Sequence, residues 1–356
     1  MEYAGKRDGS GHHEAPVKVD VTLAIDALGD VPAIAREAEA LGFDGLWTAE
    51  TRHDPFLPLA LAAEHTRRVS LGTAIAVAFP RSPTVVAHAA WDLQAASGGR
   101  LILGLGTQVK GHIERRFSVQ WTAPGPRLRE YVLALRAIWD AWQTRGPVSF
   151  RGEHYTITLT TPFFAPGPIE HPRIPVYIAA VNAYNLRLAG ELCDGVHLHP
   201  FHSVKYLREF ALPHIESGLA KSGRSREAIA LASSVFMITG RSREEIARAR
   251  EHARAQIGFY ASTRTYEPVL AAHGWQDLTP RLHRKSVAGD WAGMAALITD
   301  EMLDVFAVEA PLDGLRAALD ERYGGLLDRI APYVALERRT TPEELRAFAQ
   351  ALRVRP

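Results

Sequence analysis

FDGLWTAETRHDPF, Phe43 to Phe56, decides the fold. Phe43 to Ala49 reads as a short β-strand, and it ends in the polar cluster Glu50, Arg52, His53 and Asp54. A helical pattern then runs from Leu57 to Arg67. GGRLILGLGTQVKGH, Gly98 to His112, repeats this grammar, with RLILGLG as a strand that gives way to small and polar residues. Strand, polar tip, helix is the unit of an α/β protein whose site lies at the C-terminal strand ends.

Working outward, Val17 to Ile25 alternates as a first strand, and Asp30 to Leu41 is helical with Ile34, Ala38 and Leu41 on one stripe. VSLGTAIAVA, Val69 to Ala78, is a third strand, and Pro83 opens a helix to Ala96. Four strand–helix units within about 90 residues leave little room for antiparallel pairing. Arg127 to Thr144 is an amphipathic helix, after which Val148 to Pro175 breaks the repeat as a hairpin and a Pro-rich loop. Strand five is VYIAAV, Val176 to Val181, with its helix from Tyr184. Strand six is GVHLH, Gly195 to His199, and strand seven is IALASSVFMIT, Ile229 to Thr239.

Ser262 to Glu301 is an irregular helical excursion, expected to cover the site or form an interface. LDVFAVEA, Leu303 to Ala310, reads as strand eight and Pro311 to Tyr323 as its helix. The expected fold is therefore a (β/α)8 TIM barrel spanning residues 17–356 as one domain. It carries insertions after strand 4 and between strands 7 and 8. A doubly wound sheet would need the same count, but the first unit has no G-x-G-x-x-G turn. Residues 1–16, with His12 and His13, read as a disordered tail, and Thr341 to Leu352 as a final helix with Thr341 as N-cap and Glu344 as its capping partner.

The bulk numbers narrow the function. At 47% hydrophobic residues the 356-residue chain can bury a large core, and a formal charge of +1 argues against a nucleic-acid partner. Arg338 and Arg339 read as a solvated face. No apolar stretch reaches the roughly 20 residues that span a bilayer. The one cysteine, Cys193, reads as a buried small hydrophobe and suits a reducing, cytoplasmic setting.

Chemistry concentrates at the strand ends. His53 can exchange a proton near neutrality, with Glu50 as orienter or ligand contact, unless Glu50 and Arg52 simply pair at the rim. Gly104 and Gly106 permit close approach of a flat ligand or tight packing, and Gln108 can bond a heterocycle's edge. Asn182 opens a helix whose free N–H groups suit phosphate, or is only its N-cap. His197 and His199 face the same way and suit a pocket wall better than a metal, with no third ligand in reach. Phe79 and Phe201, with Phe163 and Phe164, suggest an apolar substrate near the rim. Arg100 belongs to the opposite, structural end. No G-x-S-x-G elbow is present, so covalent hydrolysis lacks support. Few acids and bases over a small-residue floor suit a redox cofactor.

GFDGLWTAETRHDPFLPLALAAEHT, VSLGTAIAVAFPRSP, AWDLQAASGGRLILGLGTQV and LAGELCDGVHLHPF resemble the bacterial luciferase-like superfamily, and within it the branch of oxidoreductases that use the deazaflavin coenzyme F420. The resemblance runs from Val17 to Leu319. It implies a homodimeric barrel that holds a deazaflavin or flavin over the third strand, with a cis peptide between Ala74 and Ile75. Thr107, Gln108 and Val109 would line the cofactor, and Asn182, Ala183 and Tyr184 would hold its phosphate. Hydride transfer to or from a small-molecule substrate follows, with His53 and Glu50 catalytic and Phe79, His197, His199 and Phe201 around the substrate. The sequence departs from that branch twice. Thr51 and Arg52 separate Glu50 from His53, and VNAYN replaces a glycine-rich phosphate loop. An FMN-dependent monooxygenase fed by a flavin reductase is the first alternative, and a non-catalytic binding protein on the same barrel is the second.

Overall fold

The computed structural model describes residues 17–333 and 341–352. Its strands are β1 (Lys18–Thr22), β2 (Gly45–Thr48), β3 (Ser70–Thr73), β4 (Ala76–Val77), β5 (Leu101–Gly106), β6 (Phe150–Arg151), β7 (Thr156–Ile157), β8 (Val176–Ala180), β9 (Gly195–Leu198), β10 (Ala230–Ile238), β11 (Ala307–Glu309) and β12 (Arg329–Pro332). Parallel ladders join β1, β2, β3, β5, β8, β9, β10 and β12 in that order, and β12 pairs with β1 to close the ring. The barrel expected from the sequence is thus present. β4 continues the third stave after a break and pairs with β5.

The helices named below are α1 (Val31–Ala40), α2 (Leu57–His65), α3 (Pro83–Ala96), α4 (Lys110–Arg115), α5 (Pro124–Thr144) and α6 (Ala183–Leu192). Period-two patterning explains how helices and barrel meet. In β5, Leu101, Leu103 and Leu105 are buried in the layer between strands and helices. The alternate residues, Ile102, Gly104 and Gly106, turn into the barrel and shrink toward its mouth. Ile102 joins Trp47, Tyr177 and Ala232 in a separate cluster that fills the barrel interior.

The far end of the barrel is sealed by charge. Arg329 Nε and Nη2 donate to the two Asp20 oxygens at 2.8 and 2.7 Å, with both residues buried. Trp47 lies against the guanidinium, 5.3 Å from its ring centroid. Arg100 sits at the same structural end, as expected, donating to Thr66 Oγ1 and the Val69 carbonyl at 2.8 Å each.

One strand assignment needs correction. β11, inside the segment expected to be strand eight, bonds only to the end of β10 and lies outside the ring. Its upstream half is helical, Asp300–Phe306. The closing stave is β12, which begins with a charged residue and ends in Pro332. Such a segment carries no apolar alternation, and proline cannot donate to a ladder.

The first insertion is the β6–β7 hairpin, whose turn is held by Glu130: its carboxylate accepts the N–H groups of Glu153, His154 and Tyr155. The helix that follows β10 is Arg243–Ala261, and the second insertion, expected over Ser262–Glu301, includes the helices Glu267–Ala271, Leu278–Val287 and Trp291–Ala295. The final helix forms at Pro342–Ala351. The tail over 1–16, Arg338, Arg339 and the Glu344 side chain lie outside the described residues. Among the described residues no helix is long and apolar enough to cross a membrane. Cys193 is fully buried, and burial pushes its thiol up to about 12.

Candidate active site

Past Thr73 the third stave leaves its ladder. The Ala74–Ile75 peptide bond is cis, at the position that the family resemblance implied. Thr73 repairs the gap with its side chain, since Oγ1 donates to the Gly104 carbonyl at 2.6 Å and accepts from Gly104 N–H at 3.0 Å. A Cβ at Gly104 would lie 1.8 Å from the Thr73 carbonyl oxygen, and one at Gly106 2.7 Å from Ile75 Cδ1. These glycines therefore serve the close fit of β5 against the bulge.

Glu50 anchors this bulge. Its carboxylate accepts from Val77 N–H at 2.7 Å and from Arg81 Nη1 at 2.9 and 2.7 Å, and its own N–H donates to the Ile75 carbonyl at 3.2 Å. Arg81 also reaches Asp54 at 2.8 Å. The alternative, a rim pair of Glu50 with Arg52, is not the arrangement found; Arg52 lies 3.8 Å from Asp26. With both oxygens engaged, Glu50 holds the bulge in place. Glu50→Gln is expected to cost about 2 kcal/mol, the worth of a charge-assisted hydrogen bond, read as a lower denaturant midpoint at unchanged slope. His53 stays exposed in the loop beyond it. Arg116, just past α4, donates to the Thr51 carbonyl at 2.5 Å and draws that loop toward the end of β5.

Around the mouth, accessibility alternates as side chains do. Ala24, Ala49, Ala74 and Ala179 remain partly accessible while Leu23, Ile25, Thr48 and Ala180 beside them are buried. Small side chains thus stay accessible at four strand ends around the mouth. Gln108, in the left-handed region at φ 57, turns the chain just past the end of β5, and its Oε1 accepts from Val109 N–H at 3.1 Å. Thr107 Oγ1 bonds the Gln108 carbonyl at 3.1 Å. Beyond β8, Asn182 Oδ1 accepts from Asn185 N–H at 2.9 Å and so caps α6. The Ala183 and Tyr184 amides form its first turn, and such a turn attracts anions.

The histidines in β9 and just past it divide. His197 stays inside the barrel, edge-on to Trp47 at 5.0 Å and beside Tyr177 at 5.3 Å. His199 faces the mouth, stacked on Tyr266 at 4.2 Å, with Nδ1 accepting from Phe201 N–H at 3.1 Å. Burial pushes each imidazole down to about 3, helped by the Arg329 guanidinium for His197 and by His202 for His199. Both are neutral at physiological pH.

Two other residues expected around the substrate are buried. Phe79 is buried beneath the Arg127 guanidinium, 4.5 Å from its ring centroid. Phe201 is fully buried behind Tyr266, packed on Phe306 at 4.7 Å. Phe163 and Phe164 sit on a loop that follows α3 outside the barrel, where His88 and Trp91 meet the carbonyls of Phe164 and Gly167. The sequence reading missed Arg81, Tyr260, Tyr266, Tyr333 and Gln256. The spacing Tyr260–Tyr266 at the end of a long helix was the one local signal for this group.

A closed parallel barrel with a broken third stave and polar residues past its C-terminal strand ends is the architecture of the α/β-barrel enzymes. The luciferase-like monooxygenase family model matches residues 5–329, and the chain belongs to that family. It is 51% identical to the Mycobacterium tuberculosis protein Rv1360 over 85% of this chain and 92% of that one. It is 31% identical to 5,10-methylenetetrahydromethanopterin reductase of Archaeoglobus fulgidus, over 80% of this chain and 83% of the relative. The coenzyme F420-dependent tetrahydromethanopterin reductase of Methanopyrus kandleri shares the fold at a TM-score of 0.76 and 21% identity, covering 95% of this chain and 98% of that one.

Proposed function

We propose that this chain is an oxidoreductase that binds coenzyme F420 and exchanges a hydride with an uncharged organic substrate. The observation that carries this reading is the set of accessible alanines at the strand ends beside the bulge at Ala74 and Ile75, since a flat ring needs a floor without projecting side chains. Kinship with a putative coenzyme F420-dependent oxidoreductase of Mycobacterium tuberculosis, 31% identical over 78% of this chain, supports it. Thr107, Gln108 and Val109 would border the ring. The Ala183 and Tyr184 amides, ordered by Asn182, would meet its phosphate. The bound coenzyme supplies the hydride-exchanging carbon, and the protein supplies orientation and exclusion of water. His53 would hold or take the accompanying proton, and its removal is expected to slow the chemical step about 100-fold while leaving cofactor affinity unchanged. Single-turnover kinetics with His53→Ala separates these two effects.

A homodimer belongs to the same reading. The apolar helix α2 leaves Leu57 55% exposed and α3 leaves Val85 56% exposed, faces that a second copy would cover. Light scattering after size exclusion reads that state.

Spectroscopic titration tests the cofactor. Oxidised F420 should bind saturably at micromolar concentration or below, with FMN at least about tenfold weaker, a gap of roughly 1.4 kcal/mol. Tighter binding of FMN would move the chain to the flavin monooxygenases with a reductase partner. Binding of neither would end the redox reading.

A further inference from the structure

A cavity of about 500 Å³ lies apart from the cluster at the ends of β2 and β5. It is enclosed where the ends of β10 and β12 meet the helix Arg243–Ala261 and the final helix. Phe236 and Tyr333 line it from the barrel, and both rings also pack on Tyr260, at 6.4 and 6.1 Å. Met237 adds apolar surface from β10, and Phe348 from the final helix. The helix Arg243–Ala261 contributes one face. Glu245, Arg248, Ala249, His252 and Ala253 recur at the intervals of three and four that put side chains on a single stripe.

Two groups in this lining lack the partner that their chemistry calls for. Thr239 Oγ1, just past β10, is buried and makes no hydrogen bond. The Tyr333 hydroxyl beside it in the lining is satisfied, donating to Gln256 Oε1 at 3.0 Å with Tyr260 Oη at 2.8 Å. A buried hydroxyl left unpaired is costly, and a ligand oxygen would relieve it. Arg248 is the second such group: its guanidinium makes no hydrogen bond or ion pair among the described residues. Glu244, one turn back, is fully exposed and bonded to the Ser242 side chain. Glu245, the acid of the lining, serves the start of its own helix, where its Oε2 accepts from Arg241 N–H at 2.7 Å and Ser242 caps the first turn. Arg248 is thus a cation that the fold itself does not use, and His252 can add to its charge but not cancel it.

We infer that this cavity is a binding site for a small aromatic carboxylate, whose anionic oxygens are met by Arg248 and Thr239 while its ring lies among Phe236, Met237 and Phe348. Cavities of roughly 300–1,000 Å³ are the size that takes small molecules. An aromatic body suits the lining because ring pairs attract beyond the area they bury. The site does not depend on the redox reading above, since none of its lining residues belongs to β5, to the bulge at Ala74 and Ile75 or to α6. A guest there lies one ring away from Tyr260, which meets His199 edge-on at 4.5 Å.

The test titrates three probes of one shape calorimetrically into the full chain: 2-naphthoate, the neutral 2-naphthamide and the cation 2-naphthylmethylammonium. The carboxylate should bind saturably, the amide about fivefold more weakly, and the ammonium ion more weakly still. Arg248→Gln should bring carboxylate and amide within about twofold of each other. Thr239→Val should weaken the carboxylate about threefold. The same variant should leave the urea midpoint of the empty protein equal or higher, because it removes a hydroxyl that had no partner. Ala249→Trp fills the cavity and should abolish binding of the carboxylate; if that variant does not fold, Arg248→Gln decides. The inference is overturned if the carboxylate does not bind, if the amide or the ammonium ion binds as tightly, or if Arg248→Gln keeps the preference for the anion. Displacement of the carboxylate by saturating oxidised F420 would also overturn it, by placing the probe at the barrel mouth. F420 binding is read separately from its visible absorbance, and its failure would end the cofactor reading while leaving this cavity untouched.

Discussion

Lowering the pH from about 7.5 to about 5.5 is expected to strip about 4 kcal/mol from the folded state. Three imidazoles drive the loss. Burial pushes His197 and His199 down to about 3 and His202 down to about 4. In the unfolded chain each returns to an ordinary value near 6.5, so below that pH the unfolded state binds protons that the folded state refuses. Stability therefore falls as pH falls. The penalty is absent above about pH 6.5, reaches about 1.4 kcal/mol per imidazole at pH 5.5, and is complete only below the folded values. Urea titrations at the two pH values measure it. His202→Gln, which replaces a fully buried ring bonded to the His199 carbonyl at 2.8 Å, should remove about a third of the loss. A midpoint that does not move with pH would refute the account.

Removing the Asp20 carboxylate should be nearly as severe. Asp20→Ala strands the Arg329 guanidinium in the sealed end of the barrel, and such a broken buried pair costs about 3–5 kcal/mol. The loss would reach the site, because Trp47 rests on Arg329 and touches His197 with its other edge. Asp20→Leu combined with Arg329→Met removes both charges and should recover most of the stability, since two desolvated charges repay little more than a well-packed apolar pair. Thermal melts of the single and double variants decide this. A single variant within about 1 kcal/mol of wild type would show that the pair is solvated after all.

What the sequence showed, it showed through local pattern. The leucines of β5 alternate over the whole strand, and the shrinking series Ile102, Gly104, Gly106 announces a barrel that opens toward one end. Asn182 is legible because a cap acts within three residues. Ala74–Ile75 was located by family likeness, not by any pattern of its own. The missing pieces are those built from distant segments. Arg81 meets Glu50 across 31 residues of chain, and nothing in either neighbourhood marks them as partners. The rings around His199 come from the residue after β9, the helix Arg243–Ala261 and the turn at Tyr266, so no period could reveal them. Phe79 and Phe201 were expected around the substrate because aromatic residues near strand ends suit that place; deeper packing won at both positions. β12 escaped because charge at its start and proline at its end outweighed two apolar residues between them.

The closing contact between β1 and β12 has a consequence for biosynthesis. Asp20 and Arg329 are 309 residues apart. During translation the first strand emerges from the ribosome long before its neighbour on that side exists, and until then the nascent sheet has two raw edges. Chaperone binding should persist on arrested chains that stop short of Arg329 and end abruptly once that stave is released.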